Sequence, residues 1–172
     1  MDGYFLAIAR SIAFQQLAGR AAAAIFGRFL ANFPDGITPE AVDALPEERF
    51  RAAGMSGNKT ACLRDLAAKV LDGTVPLDGI EAYSDDEIVD RLTQVRGIGR
   101  WTAEMFLIFQ LHRPDVWPVD DFAVRKGYGI IHGLAEAPKP KALLALGEAY
   151  RPWRTVAAWY CWRATDTVLP EA

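Results

Sequence analysis

A chain of 172 residues suits one domain, or two small lobes sharing a cleft. With 51% hydrophobic and 24% charged residues it has the make-up of an ordinary globular protein, not of a disordered or fibrous one. The formal charge of −3 excludes a binder that holds polyanions by bulk charge, so any nucleic-acid contact must come from a local basic face.

The N-terminus carries no basic n-region, and Arg10 and the Gln15-Gln16 pair interrupt its apolar run. Neither a signal peptide nor a membrane span is expected; the expected setting is the cytoplasm, with nucleoid association if the chain binds DNA. Phe5, Ile8, Ile12 and Gln15/Gln16 share one helical face. Ala22, Ile25, Phe26, Phe29 and Phe33 continue the period beyond a break at Gly19. Pro34-Asp35-Gly36 is a turn. Thr38-Pro39 and Leu45-Pro46 each set Pro at a first helical position with acids following, and Gly54 stops the second of these helices. Asn58 to Asp72 reads as the next helix, closed by Gly73. Ser84-Asp85-Asp86-Glu87 is a capping box that opens a helix running to Gln94. Further helices are predicted over Trp101–Leu111, from Asp121 through Tyr128, over Lys139–Tyr150, and from Pro152 to about Thr165. No segment alternates with period two, so the fold class is all-α. Without repeats, low-complexity tracts or long linkers, residues 1–172 read as a single domain. Cys62 and Cys161 lack metal-ligand spacing, which excludes a cysteine-ligated iron–sulfur cluster and suits buried thiols in a reducing compartment. His112 and His132 stand alone, and no cofactor is expected.

Two segments carry the chemistry. Val95-Arg96-Gly97-Ile98-Gly99-Arg100-Trp101-Thr102-Ala103 places two glycines between helical stretches. A glycine turn that feeds a helix N-terminus offers backbone N–H groups to an anion such as phosphate. About twenty residues on, Pro118-Val119-Asp120-Asp121 supplies a pair of carboxylates. Read alone, the first segment is better taken as a plain helix–turn–helix corner, and one of the two aspartates as a helix N-cap.

Together with the rest of the chain, these segments resemble the helix-hairpin-helix DNA glycosylase superfamily, and within it the 3-methyladenine DNA glycosylase II group that removes alkylated bases. Ile12-Ala13-Phe14-Gln15-Gln16-Leu17-Ala18 is similar to that group's early Gln-Gln helix. Ala53 to Thr60 with Leu63 to Ala67 resembles its middle segment, Leu92 to Ala103 its hairpin, Val116 to Asp121 its aspartate segment, and Arg151-Pro152-Trp153-Arg154 through Trp162 its last helix. Arg96 stands where the hairpin usually carries Pro. The resemblance is to the helical unit, and the N-terminal β-rich domain that some members carry is not expected here.

The resemblance implies a compact multi-helix bundle of two lobes, with a helix-hairpin-helix DNA-binding motif and an active-site cleft between the lobes. It implies a monomeric enzyme acting on double-stranded DNA that contains alkylated bases. Breaking an N-glycosidic bond develops positive charge near C1′, which a carboxylate opposes. Asp121 follows Pro by three, as in the alkylation-repair group, and is the expected catalytic residue, with Asp120 as the N-cap; the broader superfamily spacing points to Asp120 instead. Arg125, one helical turn beyond Asp121, is a candidate to hold that carboxylate ionised, or a plain surface partner.

Trp101 stands where lyase-type members carry a lysine, which implies a monofunctional hydrolase. Trp101, Met105 and Trp162 match positions that line the family's base pocket, and indole faces suit a cationic methylated purine. Met105 replaces an aromatic and Ala123 a larger apolar residue of some relatives, which widens the pocket and leaves the accepted bases open. Gln15 and Gln16 fill the gap left by the flipped base, line the pocket, or make an interhelical hydrogen bond.

DNA is expected to meet the N–H groups of Gly97, Ile98 and Gly99, reinforced by Arg96 and Arg100, with Lys59 and Arg64 as a second patch or as solvated charges. Relatives bind a monovalent cation through hairpin carbonyls, here those of Thr93, Val95 and Ile98. Two other functions remain open from the sequence: a non-catalytic module that binds damaged DNA, and a glycosylase for a different damaged base.

Overall fold

The computed structural model describes residues 2–166. Among them it forms ten α-helices: α1 (Asp2–Phe14), α2 (Gly19–Leu30), α3 (Pro39–Ala44), α4 (Glu47–Ala53), α5 (Gly57–Leu71), α6 (Asp85–Leu92), α7 (Arg100–Phe109), α8 (Phe122–Ile131), α9 (Pro140–Leu146) and α10 (Arg154–Asp166). No strand occurs among the described residues, as the missing period-two patterns predicted. No described helix is long and apolar enough to cross a membrane. Contacts divide the chain into two units, with the boundary after Phe106 inside α7.

The first unit packs α1 to α6 and most of α7 around Phe5, Ile12, Phe29, Phe50, Leu63, Leu66 and Leu92, all buried. The apolar faces of α1 and α2 follow the predicted period, and the chain breaks between them where Gly19 opens α2. Gln16 adopts a left-handed φ of 58°, which ends α1 at a cost of about 1–2 kcal/mol for a side chain that is not glycine. Pro46 is extended and stands at the N-cap of α4, not at its first helical position. Ser56 caps α5 by accepting the Lys59 N–H, so this helix begins one residue before the predicted Asn58. The capping box of Ser84 and Glu87 forms as read from the sequence. It draws the Glu87 carboxyl below its ordinary range, chiefly through the Ser84 hydroxyl.

Lys59 and Arg64 are not simply solvated charges. The Lys59 ammonium bonds the Ala13 carbonyl at the end of α1, and Arg64 bonds the carbonyls of Asp43 and Leu45 at the end of α3. Cations at helix C-termini complement both the unpaired carbonyls and the dipole.

The second unit is built on the crossing of α8 and α10. A Cβ at Gly127 would land on the Cys161 carbonyl, so glycine is what lets the two backbones meet. Val124, Tyr128, Leu143, Ala158 and Trp117 close the core around this contact. Burial pushes the Cys161 thiol up to about 11, and it packs as a protonated apolar group. Trp117 donates its indole N–H to the Leu143 carbonyl at 2.8 Å and lays its ring against Gly147. There α9 gives way to a 3-10 turn over Gly147–Tyr150, where the sequence predicted one continuous helix.

The last helix starts at Arg154, two residues after the predicted Pro152. Asp115 holds its entrance through Arg151 Nη1 at 2.8 Å and Arg154 Nε at 2.7 Å, and Thr155 Oγ1 accepts the Val116 N–H at 2.9 Å. Burial alone would raise the Asp115 carboxyl, but its hydrogen bonds and charge pairing with the two arginines outweigh that and hold it below the usual carboxylate range.

Candidate active site

In the second unit, Pro118 turns the chain so that the Asp121 N–H donates to its carbonyl at 3.1 Å, and α8 follows. Asp121 is the N-cap of α8: its Oδ1 accepts the Val124 N–H at 2.9 Å. The sequence assigned that cap to Asp120. The structure moves it one residue on, because Asp121 is the last extended residue before the helix, and Asp120 sits exposed in the turn before it.

The same Oδ1 accepts the Trp162 indole N–H at 3.2 Å. Trp162 is placed there by its neighbour Cys161, which fixes α10 against Gly127. Asp121 and Trp162, singled out separately in the sequence, therefore meet. Ala123 follows in the first turn of α8, half-buried. Arg125 does not sit on the Asp121 carboxylate; its guanidinium lies 5.4 Å from the centroid of the Phe122 ring, and its Nε is buried without an acceptor among the described residues. Phe109 was not foreseen. Its ring stacks on Trp162 with centroids 5.8 Å apart and 24° between planes, and it stays 52% exposed. The recurrence of Trp101, Met105 and Phe109 at every fourth residue was a readable signal for it.

In the first unit, α6, the turn 93–99 and α7 form the hairpin. Gly97 has φ +79°, and a Cβ there would stand 2.6 Å from Cys62 Sγ, so both conformation and space require glycine. Gly99 has neither constraint: its φ is ordinary and nothing lies within 4 Å of a Cβ built on it. The Ile98 N–H, expected to face DNA, instead donates to the Val95 carbonyl at 3.0 Å and closes the turn. The N–H groups of Gly97 and Gly99 donate to no acceptor among the described residues.

The Arg96 guanidinium reaches Asn58 Oδ1 at 3.3 Å, and Arg100 pairs with the buried Glu104 at 2.9 Å while keeping 58% of its side chain exposed. Trp101 lies exposed in the first turn of α7, and Met105 lies half-buried one turn later. Gln15 Nε2 donates to the Gly97 carbonyl at 2.9 Å, so of the roles open to it the structure shows the hydrogen bond. Asp65 was also not foreseen: Oδ2 accepts the Arg96 N–H at 2.6 Å and Oδ1 pairs with Lys69 at 2.7 Å. Burial raises its carboxyl, but those partners outweigh the burial and leave it lowered overall.

A family model described as HhH-GPD superfamily base excision DNA repair protein matches residues 9–152. The chain belongs to this family. DNA-3-methyladenine glycosylase 1 of Schizosaccharomyces pombe is 42% identical over 159 residues, which cover 91% of this chain and 70% of the relative. A solved structure of the Schizosaccharomyces pombe 3-methyladenine DNA glycosylase in complex with abasic DNA matches with a TM-score of 0.82 at 40% identity, over 96% of this chain and 82% of that one. A DNA-3-methyladenine glycosidase from Bacillus halodurans matches with a TM-score of 0.90 at 34% identity, over 95% and 76% of the two chains. In this HhH-GPD chain, the Val95 carbonyl, one of the three expected to hold a cation, accepts the Ile98 N–H at 3.0 Å.

Proposed function

We propose that this chain is a monofunctional DNA glycosylase that hydrolyses the N-glycosidic bond of alkylated purines in duplex DNA. The observation that carries the reading is the Asp121 carboxylate, fixed at Oδ1 by the α8 cap and by the Trp162 indole N–H. Such a group does not need to move to meet charge that develops beside it, and preorganised charge of this kind is the largest single contribution in many active sites.

The substrate supplies the other half of the chemistry. Alkylation at N3 or N7 makes the base a cationic leaving group, so its departure takes the bonding electrons without a strong general acid. The C1′–N bond breaks, the sugar becomes oxocarbenium-like, and water adds at C1′ and gives up a proton. The neutral alkylated base and an abasic strand result. Asp121 faces the developing charge, and Trp162, backed by Phe109, offers an aromatic face to the flipped purine. The small Ala123 leaves room for a bulky base, Met105 is a flexible apolar side chain, and Trp101 presents no amine to form a Schiff base with the sugar.

The hairpin supplies the grip. Gly97 and Gly99 offer their N–H groups, and the absence of any internal need for glycine at 99 matches a surface that a phosphate must approach closely. Arg96 and Arg100 add charge, and the exposed left-handed Gln16 is set to fill the space of the extruded base. A monovalent cation, when held by the carbonyls of Thr93, Val95 and Ile98, would add positive charge to the same loop.

The test is release of free bases from methylated duplex DNA, resolved by base identity. Release of 3-methyladenine is expected. Tight binding with no base released under single-turnover conditions would overturn the reading and leave a damage-binding module.

A further inference from the structure

The hairpin turn is shaped by side chains that lie outside it. The peptide between Val95 and Arg96 is pinned through its N–H, which Asp65 on α5 accepts at 2.6 Å. The peptide between Gly97 and Ile98 is pinned at both ends, its carbonyl by Gln15 at 2.9 Å and its N–H by the Val95 carbonyl at 3.0 Å. Between these two lies the Arg96–Gly97 peptide, whose N–H donates to nothing among the described residues. Its direction is therefore set by its neighbours. A carboxylate this close to a phosphate path would repel it, and Lys69 on Oδ1 at 2.7 Å offsets that charge.

We propose that Asp65 and Gln15 are positioning residues for the DNA grip: from α5 and the end of α1 they clamp the turn so that the Gly97 N–H presents to a backbone phosphate. The inference rests on the hairpin being the grip. It also makes Gln15 a determinant of affinity instead of a lining residue of the base pocket.

The experiment measures affinity for undamaged duplex, and the single-turnover excision rate at saturating duplex, for Asp65→Ala, Asp65→Asn, Gln15→Ala and Gly99→Val. Asp65→Ala is expected to weaken binding about tenfold, in line with loss of a hydrogen bond to a charged group. Asp65→Asn removes the same charge but keeps an acceptor for the Arg96 N–H, and should bind within about threefold of the parent. A bystander carboxylate gives the opposite sign, since both variants would then shed repulsion and bind more tightly. Gln15→Ala changes no charge and should weaken binding about fivefold with the saturated rate retained.

Equal affinities for the two Asp65 variants, or unchanged affinity for Gln15→Ala, overturn the inference, as does a Gln15→Ala variant that binds normally and reacts slowly. If Asp65→Ala does not fold, Gln15→Ala decides alone. Gly99→Val separates the two levels: if it binds as the parent does, the hairpin is not the grip and both readings fall. If it loses binding while the Asp65 and Gln15 variants do not, only the clamp falls.

Discussion

Replacing Asp121 by Asn removes one charge and keeps the acceptor for both hydrogen bonds seen on Oδ1. Asn is as good an N-cap as Asp, so the Val124 N–H at 2.9 Å keeps its acceptor, and the side-chain oxygen still receives the Trp162 indole at 3.2 Å. Loss of the favourable charge at the α8 N-terminus costs about 0.3–1 kcal/mol of stability, which lowers Tm by no more than about 2–4 °C in a chain of this size. The catalytic cost is larger. Two unit charges about 4 Å apart interact by about 4 kcal/mol at an effective dielectric of about 20. Measured losses of one preorganised electrostatic partner run at about 3–4 kcal/mol, a rate loss on the order of 10²–10³. Folding and catalysis therefore separate by several-fold in energy. Single-turnover excision of an alkylated purine by Asp121→Asn and Asp120→Asn, with duplex affinity and thermal melts alongside, reads all three quantities. Asp121→Asn should be folded, bound and nearly inactive, and Asp120→Asn close to the parent. A dead Asp120→Asn beside an active Asp121→Asn would refute the assignment, and near-full rates in both would show that departure of a cationic base needs no carboxylate here.

With Trp101 where a lyase carries its amine, borohydride added during turnover should trap no covalent protein–DNA complex; an efficient trap would sink the monofunctional reading. Trp162→Phe keeps a ring against Phe109 but removes the N–H from Asp121 Oδ1, and excision should slow about tenfold with duplex affinity unchanged; an unaltered rate would dissociate the indole from the carboxylate. Gly127→Ala forces a methyl onto the Cys161 carbonyl and should cost about 1–3 kcal/mol or more, lowering Tm by at least about 3 °C; an unshifted melt would contradict the close crossing of α8 and α10. Asp65 and Asp115 are held below the usual carboxylate range of about 4, so their stabilisation is complete above that pH and is lost as pH falls through their lowered folded values. Melts between pH 6 and pH 2.5 should drop below about pH 4, and Asp115→Asn should flatten part of that drop; identical profiles for parent and variant would refute it.

Much of this arrangement was legible in the residues. Caps, prolines and apolar periods are local, and Ser84-Asp85-Asp86-Glu87 or the break at Gly19 reports itself within one or two turns of chain. Misplacements came where tertiary contacts override local preference. The stretch after Leu146 has helical composition, but Trp117, far back in sequence, lies on Gly147 and tightens the last turn. The cap moved from Asp120 to Asp121 because the two residues have equal propensity, and only the path of the backbone after Pro118 chooses between them. For Lys59 and Arg64 the sequence left a basic patch and solvated charge both open, because it shows charge but not the carbonyls of Ala13, Asp43 and Leu45 that accept their hydrogen bonds. Asp65 lies in the segment Leu63 to Ala67 that carries the resemblance, but its contact with Arg96 left no signal, since that partner is thirty-one residues away and contributes a backbone N–H that no residue type announces.

That last contrast also explains how the candidate machinery divides its labour. The residues that a pattern can single out, Gly97, Gly99, Asp121 and Trp162, are those proposed to meet DNA or the reacting sugar, and their chemistry limits the choice of residue. What fixes their geometry is drawn from ordinary positions: Asp65 and Gln15 for the hairpin, Cys161 and Gly127 for Trp162, the α8 cap for Asp121. The two bonds on Asp121 Oδ1 point the positive ends of a helix and of an indole at one oxygen, which suits a carboxylate that stands still as a charge more than one that swings to collect a proton. A substrate whose base is already cationic asks for that kind of carboxylate. A neutral damaged base would ask in addition for a proton donor to its departing nitrogen.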